Sequence, residues 1–447
     1  MSTHSHDVER ILKLAEELGA TEAEVYRVWG REVRIRATDK IVQPKALELD
    51  AIGVRVAVSK RVAVVGTQDL SEAGIRKAVE AAVSIARATN EDPDWQGFNE
   101  EVGLTPLNNI WDRETAETSP EDLANVVKDA IIAVSEGSPL SRPVRCLVSA
   151  SSSIVELINS YGGPVKQRVT SVAGWVYVKA LRDGKEGTFS GDAFARSLRE
   201  FRLRDVAKEA GAKAPEFIDS KPIPTSTYDV ILAPRVATSI LSIMLMPALS
   251  ALSVQQGRSP LADKVGEAVT AKHITIIDAG ADPTKPDGRE FDDEGHPTVN
   301  RALIKEGILL DYAYDSYTAK KEGRKSTGNA WRNYSSSPTP RPNHVLLKPG
   351  NASLDEMIKE IRNGLLVEST IGEWLSNPVS GDLNATVTHA YLIRDGEVRG
   401  TVKGVVLSGN FYELMKGNID LIGKATETHG SATAPHILLR NVRVAGK

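Results

Sequence analysis

Cysteine is almost absent: Cys146 is the single thiol in 447 residues. One thiol excludes an internal disulfide and every multi-cysteine metal site, zinc ribbons and fingers included, and such low usage fits a reducing compartment. Cys146 alternates with Val144, Val148 and Ala150 as on a strand, with no neighbour in sequence to lower its pKa, and reads as a buried structural thiol. Catalytic glycine motifs are missing too. No two of the 35 glycines are separated by one residue, and Lys325-Ser326 lacks the glycine a phosphate-cradling loop needs before it. There is no G-x-S-x-G elbow to present a nucleophilic serine. None of the 8 histidines is followed by glutamate, so the His-Glu pair of a metalloprotease helix is absent. Charge of one sign is lacking as well: 55 basic against 59 acidic residues leave a net charge of −4, and no global positive field to hold nucleic acid or an anionic membrane.

Long hydrophobic runs are missing. The strongest candidate, Val236 to Gly257, carries no charge but is broken by Pro247 and dotted with Ser and Thr. A membrane span needs about 18 consecutive apolar residues, so the segment is expected to be a buried helix interrupted at Pro247. The N-terminus has no apolar signal core after a basic start, and a cytoplasmic location is expected. Its Ser2-Thr3-His4 offers an amine, amides and an imidazole to Cu(II) or Ni(II), an incidental set at a chain end.

At roughly three times the usual domain size, the chain should form two or three domains. Asp7 to Leu18 has apolar residues at helical spacing, with Gly19 as the stop. Glu22 to Thr67 alternates as a hairpin-rich sheet, with a turn at Ser59-Lys60-Arg61, and Ser71 to Ala88 returns to helical spacing. Ser119-Pro120-Glu121-Asp122 has the hydroxyl cap, N1 proline and first-turn carboxylates of a helix start, and that helix should end at Gly137. Val144 to Ala150 and Ile154 to Tyr161 read as two strands, and residues 195 to 212 as helical. Lys221-Pro222-Ile223-Pro224 is a proline-stiffened linker. Beyond it YDVILAP reads as a strand, and from about residue 272 short strands alternate with turns, most clearly at the Asp395-Gly396 hairpin. The fold class is therefore α+β. An N-terminal α/β domain with helices packed on a sheet, residues 1–222, precedes a β-rich C-terminal domain, residues 223–447.

Candidate sites are few. Asp292-Asp293-Glu294-Gly295 has cation-site composition, but the expected reading is a polar turn closed by glycine. His429 and His436 could meet His389 at a metal only if folding joined them, and histidines satisfied by hydrogen bonds are the simpler expectation. The segment Ala319 to His344, with its Lys320–Arg341 loop, is basic and holds Trp331 and Tyr334. Such a loop suits an extended peptide or a single nucleic-acid strand, and equally a solvated connection.

In order and spacing, GATEAEVYRV, IGVRVAVSKRVAVVGTQDL, INSYGG, YDVILAP, GRSPLADKVGEAV, FDDEGHPT, LIKEGILLDYAYDSYTA, STGNAWR, AYLIRDGEVRGTVKGVVLSGNFYELM and LLRNVRVAG resemble the modulators of DNA gyrase, the TldD/PmbA metallopeptidase family, over nearly the whole chain. The resemblance implies that active members carry a zinc-binding HExxxH on the helix after YDVIL, plus a ligand cysteine near the C-terminus. Here Ala233, Pro234 and Thr238 stand at the HExxxH positions, and the tail from Thr426 has no cysteine. The chain is thus similar to the PmbA branch, also called TldE. Resemblance to that branch implies no catalytic residue and no metal in this chain, with zinc in a TldD-like partner of a heterodimer. The internal cavity of that heterodimer would admit unfolded peptides. Arg332, Tyr334 and Arg341 are the candidate contacts to substrate or partner. Two alternatives stay open at this point: a non-enzymatic homodimeric binding protein, and a hydrolase using its histidines in a new arrangement.

Overall fold

The structure is a computed structural model that describes residues 5–38 and 42–446, so the Ser2-Thr3-His4 set lies outside the described residues. The first half is built on a six-stranded antiparallel sheet. Its strands are β1 (Glu22–Thr38), β2 (Val42–Val58), β3 (Arg61–Thr67), β4 (Ser141–Asn159), β5 (Gly162–Arg182) and β6 (Lys185–Ala195), in the order β3-β2-β1-β4-β5-β6. Side chains alternate between the two faces of each strand. On β1, Ala23, Val25, Val33, Ile35 and Ala37 share one face and are buried under helices. Toward one end α1 (Ser5–Glu17) and α2 (Glu72–Ala88) cover the sheet. Toward the other, the short α3 (Arg113–Ala116) leads into α4 (Pro120–Gly137), which pairs with α5 (Leu203–Lys213). The cap of α4 is as read from sequence: the Ser119 side chain accepts from the Asp122 N–H at 3.1 Å, and the Asp122 carboxylate accepts from the Ser119 N–H at 3.0 Å.

Two sequence readings of this half are corrected. Residues 144–161 do not hold two strands: one long strand, β4, runs through to Asn159, because Ser151 to Ser153 pair with Glu32, Arg31 and Gly30 on one side and with Ser171, Thr170 and Val169 on the other. Serine there is tolerated because Ser151 and Ser171 bond through their hydroxyls at 2.8 Å. Helix does not start at 195, because β6 runs through Ala195 and α5 begins at Leu203.

The second half holds an eleven-stranded sheet. Within it β7 (Ser226–Leu232) pairs with both Asn363–Ile371 and Ala432–Ala445, and the ladder continues through Asp382–Arg394 and Val405–Asn410 back to Ala432–Ala445. These five strands close into a barrel. Closure removes their edges and leaves the barrel interior to apolar side chains such as Val230, Leu232, Val387 and Leu407. The Asp395-Gly396 hairpin is present, with both residues at positive φ, 49° and 77°.

After β7 the chain turns at Ala233 into α6 (Pro234–Ile240). The uncharged segment that follows is largely buried, and its helix opens into a π turn, Leu241–Leu245, just before Pro247. Pro247 has no N–H to offer the preceding turn, and the wider turn accommodates this. Among the described residues no helix is long and apolar enough to cross a membrane.

Candidate functional site

The three positions singled out by the resemblance lie at the junction of β7 and α6. Ala233 is the N-terminal cap residue of α6 and Pro234 its first residue. Thr238 is fully buried one turn on, its hydroxyl donating to the Arg235 carbonyl at 2.9 Å. A methyl, a pyrrolidine ring and a committed hydroxyl do not suit zinc, which takes imidazole, thiolate and carboxylate. Among the described residues no group of three His, Cys, Asp or Glu is arranged to hold a metal ion.

Between Ala233 and Thr238 lies Arg235, which sequence reasoning passes over although it sits inside the motif window. It bridges the two halves: its guanidinium is 2.7 Å from Asp192 on β6 and donates to the Ser190 carbonyl at 2.6 Å. Asp192 also receives His429 Nδ1 at 2.8 Å, and His429 Nε2 reaches Glu427 at 3.1 Å. Burial alone would lower the His429 pKa, but its hydrogen bonds to the two carboxylates outweigh this and raise it. Burial likewise opposes ionisation of Asp192, and His429 with Arg235 overcomes it, leaving the carboxyl below its ordinary value. The hydrogen bond from His429 lowers Glu427. The result is a closed set of a guanidinium, an imidazole and two carboxylates beside Ala233 and Pro234.

This set lines two cavities. One, of about 340 Å³, lies between β6, α5, the start of α6 and His436; here Lys213 is 3.2 Å from Glu368 across the two halves. The other, of about 460 Å³, runs past Thr238, Ser242, Met246, His429 and Arg341. Arg235 and His429 belong to both, so the two spaces share a wall.

The histidines separate. His429 and His436 share the first cavity, whereas His389 stands apart, with Thr188 at 3.1 Å, Ser369 at 2.7 Å and the rings of Phe189 and Phe217 around it. Burial pushes the His389 pKa down to about 4. Cys146 is buried, and burial pushes its thiol up to about 12.

The basic loop fares differently from its expected role. The Arg332 side chain is buried: its guanidinium is 2.8 Å from Glu24 with 1 % of the side chain exposed, and it stacks 4.7 Å from the Tyr26 ring. A peptide cannot reach that guanidinium. Tyr334 docks on the sheet of the first half. Its carbonyl lies over Gly53, its ring over the paired Gly66, and its hydroxyl accepts from Gln68 at 2.9 Å. Lys320, Lys321 and Lys325 pair with Glu100, Asp94 and Glu101 of the first half. The loop is therefore a clamp between the halves. Of the three candidates, Arg341 alone lines the cleft, its guanidinium 3.7 Å from the Trp331 ring. Asp292-Asp293-Glu294-Gly295 is a turn: the Asp292 carboxylate accepts from the N–H groups of Glu294, His296 and Ala330 at 2.9, 3.0 and 2.9 Å.

Sequence profiles described as PmbA/TldA metallopeptidase domain 1, central domain and C-terminal domain match residues 23–86, 113–216 and 225–446. The class is thus metallopeptidase-like over most of the chain. The chain belongs to the PmbA/TldD family. It is 29 % identical to an uncharacterised protein of Methanocaldococcus jannaschii, over 97 % of this chain and 99 % of that one. It is 25 % identical to the metalloprotease PmbA of Escherichia coli O157:H7, over 89 % and 86 %. The crystal structure of TldE from Thermococcus kodakarensis shares the fold, with a TM-score of 0.90 at 24 % identity, covering 98 % of this chain and 99 % of that one.

Proposed function

We propose that this protein is the zinc-free subunit of a two-component metallopeptidase, pairing with a TldD-like sister that carries HExxxH and shaping the chamber through which flexible peptides reach the sister's zinc. The observation that carries the reading is at the β7–α6 junction. Alanine, proline and a buried threonine stand at the ligand positions, and the polar groups around them are closed on one another as Arg235–Asp192–His429–Glu427. In such a set both carboxylates and both ring nitrogens of His429 are committed to one another rather than free to hold metal or to activate water. The open cavity past Arg341 supports a role in guiding peptide. Hydrolysis then belongs to the complex, where the sister's zinc polarises the scissile carbonyl.

The test is to purify the chain alone and with its HExxxH-bearing sister, and to measure mass in solution and zinc per particle. One zinc per heterodimer and none on the isolated chain is the expected result. A stoichiometric, tightly bound zinc on the isolated chain overturns the reading.

A further inference from the structure

The cleft of about 460 Å³ beside the β7–α6 junction is lined by charge of one sign. One wall is a stripe of the helix after β7, in which Arg235, Ser239, Ser242 and Met246 recur at helical spacing and share a face. The π turn, Leu241–Leu245, lies in this wall, and π turns are frequent at functional sites. Arg341, His429 and Ser431 add to the lining from elsewhere in the chain. Among the described residues that line the cleft there is no aspartate or glutamate. Arg235 and His429 are already engaged by Asp192 and Glu427, and those carboxylates line the other cavity.

Arg341 is left without a counter-ion among the described residues. Its Nη1–H donates to Met246 Sδ at 3.5 Å, a weak acceptor on the cleft wall, and this contact places the guanidinium at the cleft. Its Nε and Nη2 donors meet no acceptor among the described residues and stay open to solvent. Those two are adjacent, the pair of donors that holds a carboxylate bidentately. Stacking 3.7 Å from the Trp331 ring keeps the group in place. The carboxylates whose field reaches it are spent elsewhere: Asp287 on His344 at 3.3 Å, Asp293 on Arg289 at 3.1 Å, and Asp278 on the Asn343 N–H at 2.7 Å. The hydroxyls of Ser239, Ser242 and Ser431 likewise make no hydrogen bond among the described residues. The cleft thus offers one unanswered positive charge with uncommitted hydroxyls beside it, and apolar contact from Ile243 and Met246.

We propose that this cleft holds a carboxylate of a bound peptide, at its C-terminus or on an acidic side chain, with Arg341 as counter-ion and the Ser239, Ser242 and Ser431 hydroxyls bonding to the peptide beside it. A single free cation matches a carboxylate. A phosphate group carries about −1.5 to −2 at pH 7 and would need a second one. The volume is that of a small-molecule pocket, so it takes a short stretch of peptide rather than a folded domain. That the ligand is a peptide rests on the peptidase reading; the charge it carries rests on the cleft alone.

The experiment uses the full chain and three peptides at about pH 7, where carboxylates are ionised. N-acetyl-trialanine carries the carboxylate at its end, N-acetyl-Ala-Glu-Ala-amide carries it on a side chain, and N-acetyl-trialanine amide carries none. Binding is measured by calorimetry, with inorganic phosphate as a fourth probe. At least one carboxylate peptide should bind saturably and about tenfold more tightly than the uncharged amide, and which one does so tells a chain end from an acidic side chain. Arg341→Gln should reduce that peptide to the level of the amide, and Arg341→Lys, which keeps the charge but not the fork, should restore part of the difference. Ser242→Ala, a small change on a half-buried helix position, should weaken it a few-fold and keeps the test open if Arg341→Gln does not fold. Equal binding of charged and uncharged peptides, no binding of any peptide, tighter binding of phosphate, or a folded Arg341→Gln chain of unchanged affinity would each overturn the proposal. Mass and zinc content of the pair with its sister read the subunit role separately, so failure here leaves that reading in place.

Discussion

Arg332 and Glu24 lie 2.8 Å apart across the junction of the two halves, with 1 % and 0 % of their side chains exposed. Glu24 is on β1 and also faces Arg55 at 3.6 Å, and Arg55 continues to Glu294 at 3.1 Å. The Glu24 oxygens are close to their partners without aligned hydrogen bonds, so charge rather than directional bonding holds this part of the network. Charges buried this deeply are tolerable only in company.

Removing one member should therefore be severe. Arg332→Ala leaves Glu24 short of a counter-charge and is expected to destabilise the fold by about 3–5 kcal/mol in urea unfolding. Arg332→Met combined with Glu24→Gln should recover a good part of that loss, because neither charge is then stranded.

The Tyr334 contact is steric. A Cβ at Gly53 would collide with the Tyr334 carbonyl oxygen, so Gly53→Ala should push the 331–336 segment off the sheet. The expected loss is about 1–3 kcal/mol. It should appear with increased amide exchange in that segment rather than in the barrel.

His389 gives the acid side of the stability profile. Its ordinary value is 6.5 and burial lowers it to about 4, so below pH 6.5 the unfolded chain takes up a proton that the folded chain refuses. Stability contributed by the neutral ring is complete above about pH 6.5 and drains away as pH falls toward 4, amounting to about 3 kcal/mol. His389→Gln should flatten the unfolding profile across that window. His429 has the opposite sign: its raised pKa makes the junction with Asp192 strongest below about 6.5 and weaker as pH rises through the elevated value.

Arg341 is the candidate left facing the cleft. Arg341→Ala should raise KM for a flexible peptide several-fold in the assembled peptidase, while thermal stability of the isolated chain falls only slightly, since the Trp331 ring keeps Arg289 at 3.9 Å.

Local rules account for the parts of the fold that are legible in sequence. The capped helix at Ser119, the stop at Gly19 and the Asp395-Gly396 hairpin each depend on residues within one turn of the chain, and all three are in place. The barrel is not legible, because its closure depends on β7 pairing with strands more than a hundred residues further along the chain. The site divides in the same way. Ala233, Pro234 and Thr238 can be named from a motif window, and Arg235 stands in the same window. Asp192 and Glu427 become part of the site only when β6 meets the barrel. The basic loop stays open in sequence because charge does not reveal a partner: Lys320, Lys321 and Lys325 suit a surface for peptide or nucleic acid and a solvated connection equally, and folding brings Glu100, Asp94 and Glu101 to them.

On the proposed function, this chain does not hydrolyse peptides by itself and is required for hydrolysis in the pair. Both halves of that statement are tested at once by assaying a flexible peptide with this chain alone, with the HExxxH-bearing sister alone, and with the two mixed, each with zinc and with chelator. The expected result is hydrolysis only in the mixture, abolished by chelator. Chelator-sensitive hydrolysis by this chain alone, at a purity that excludes the sister, would contradict it.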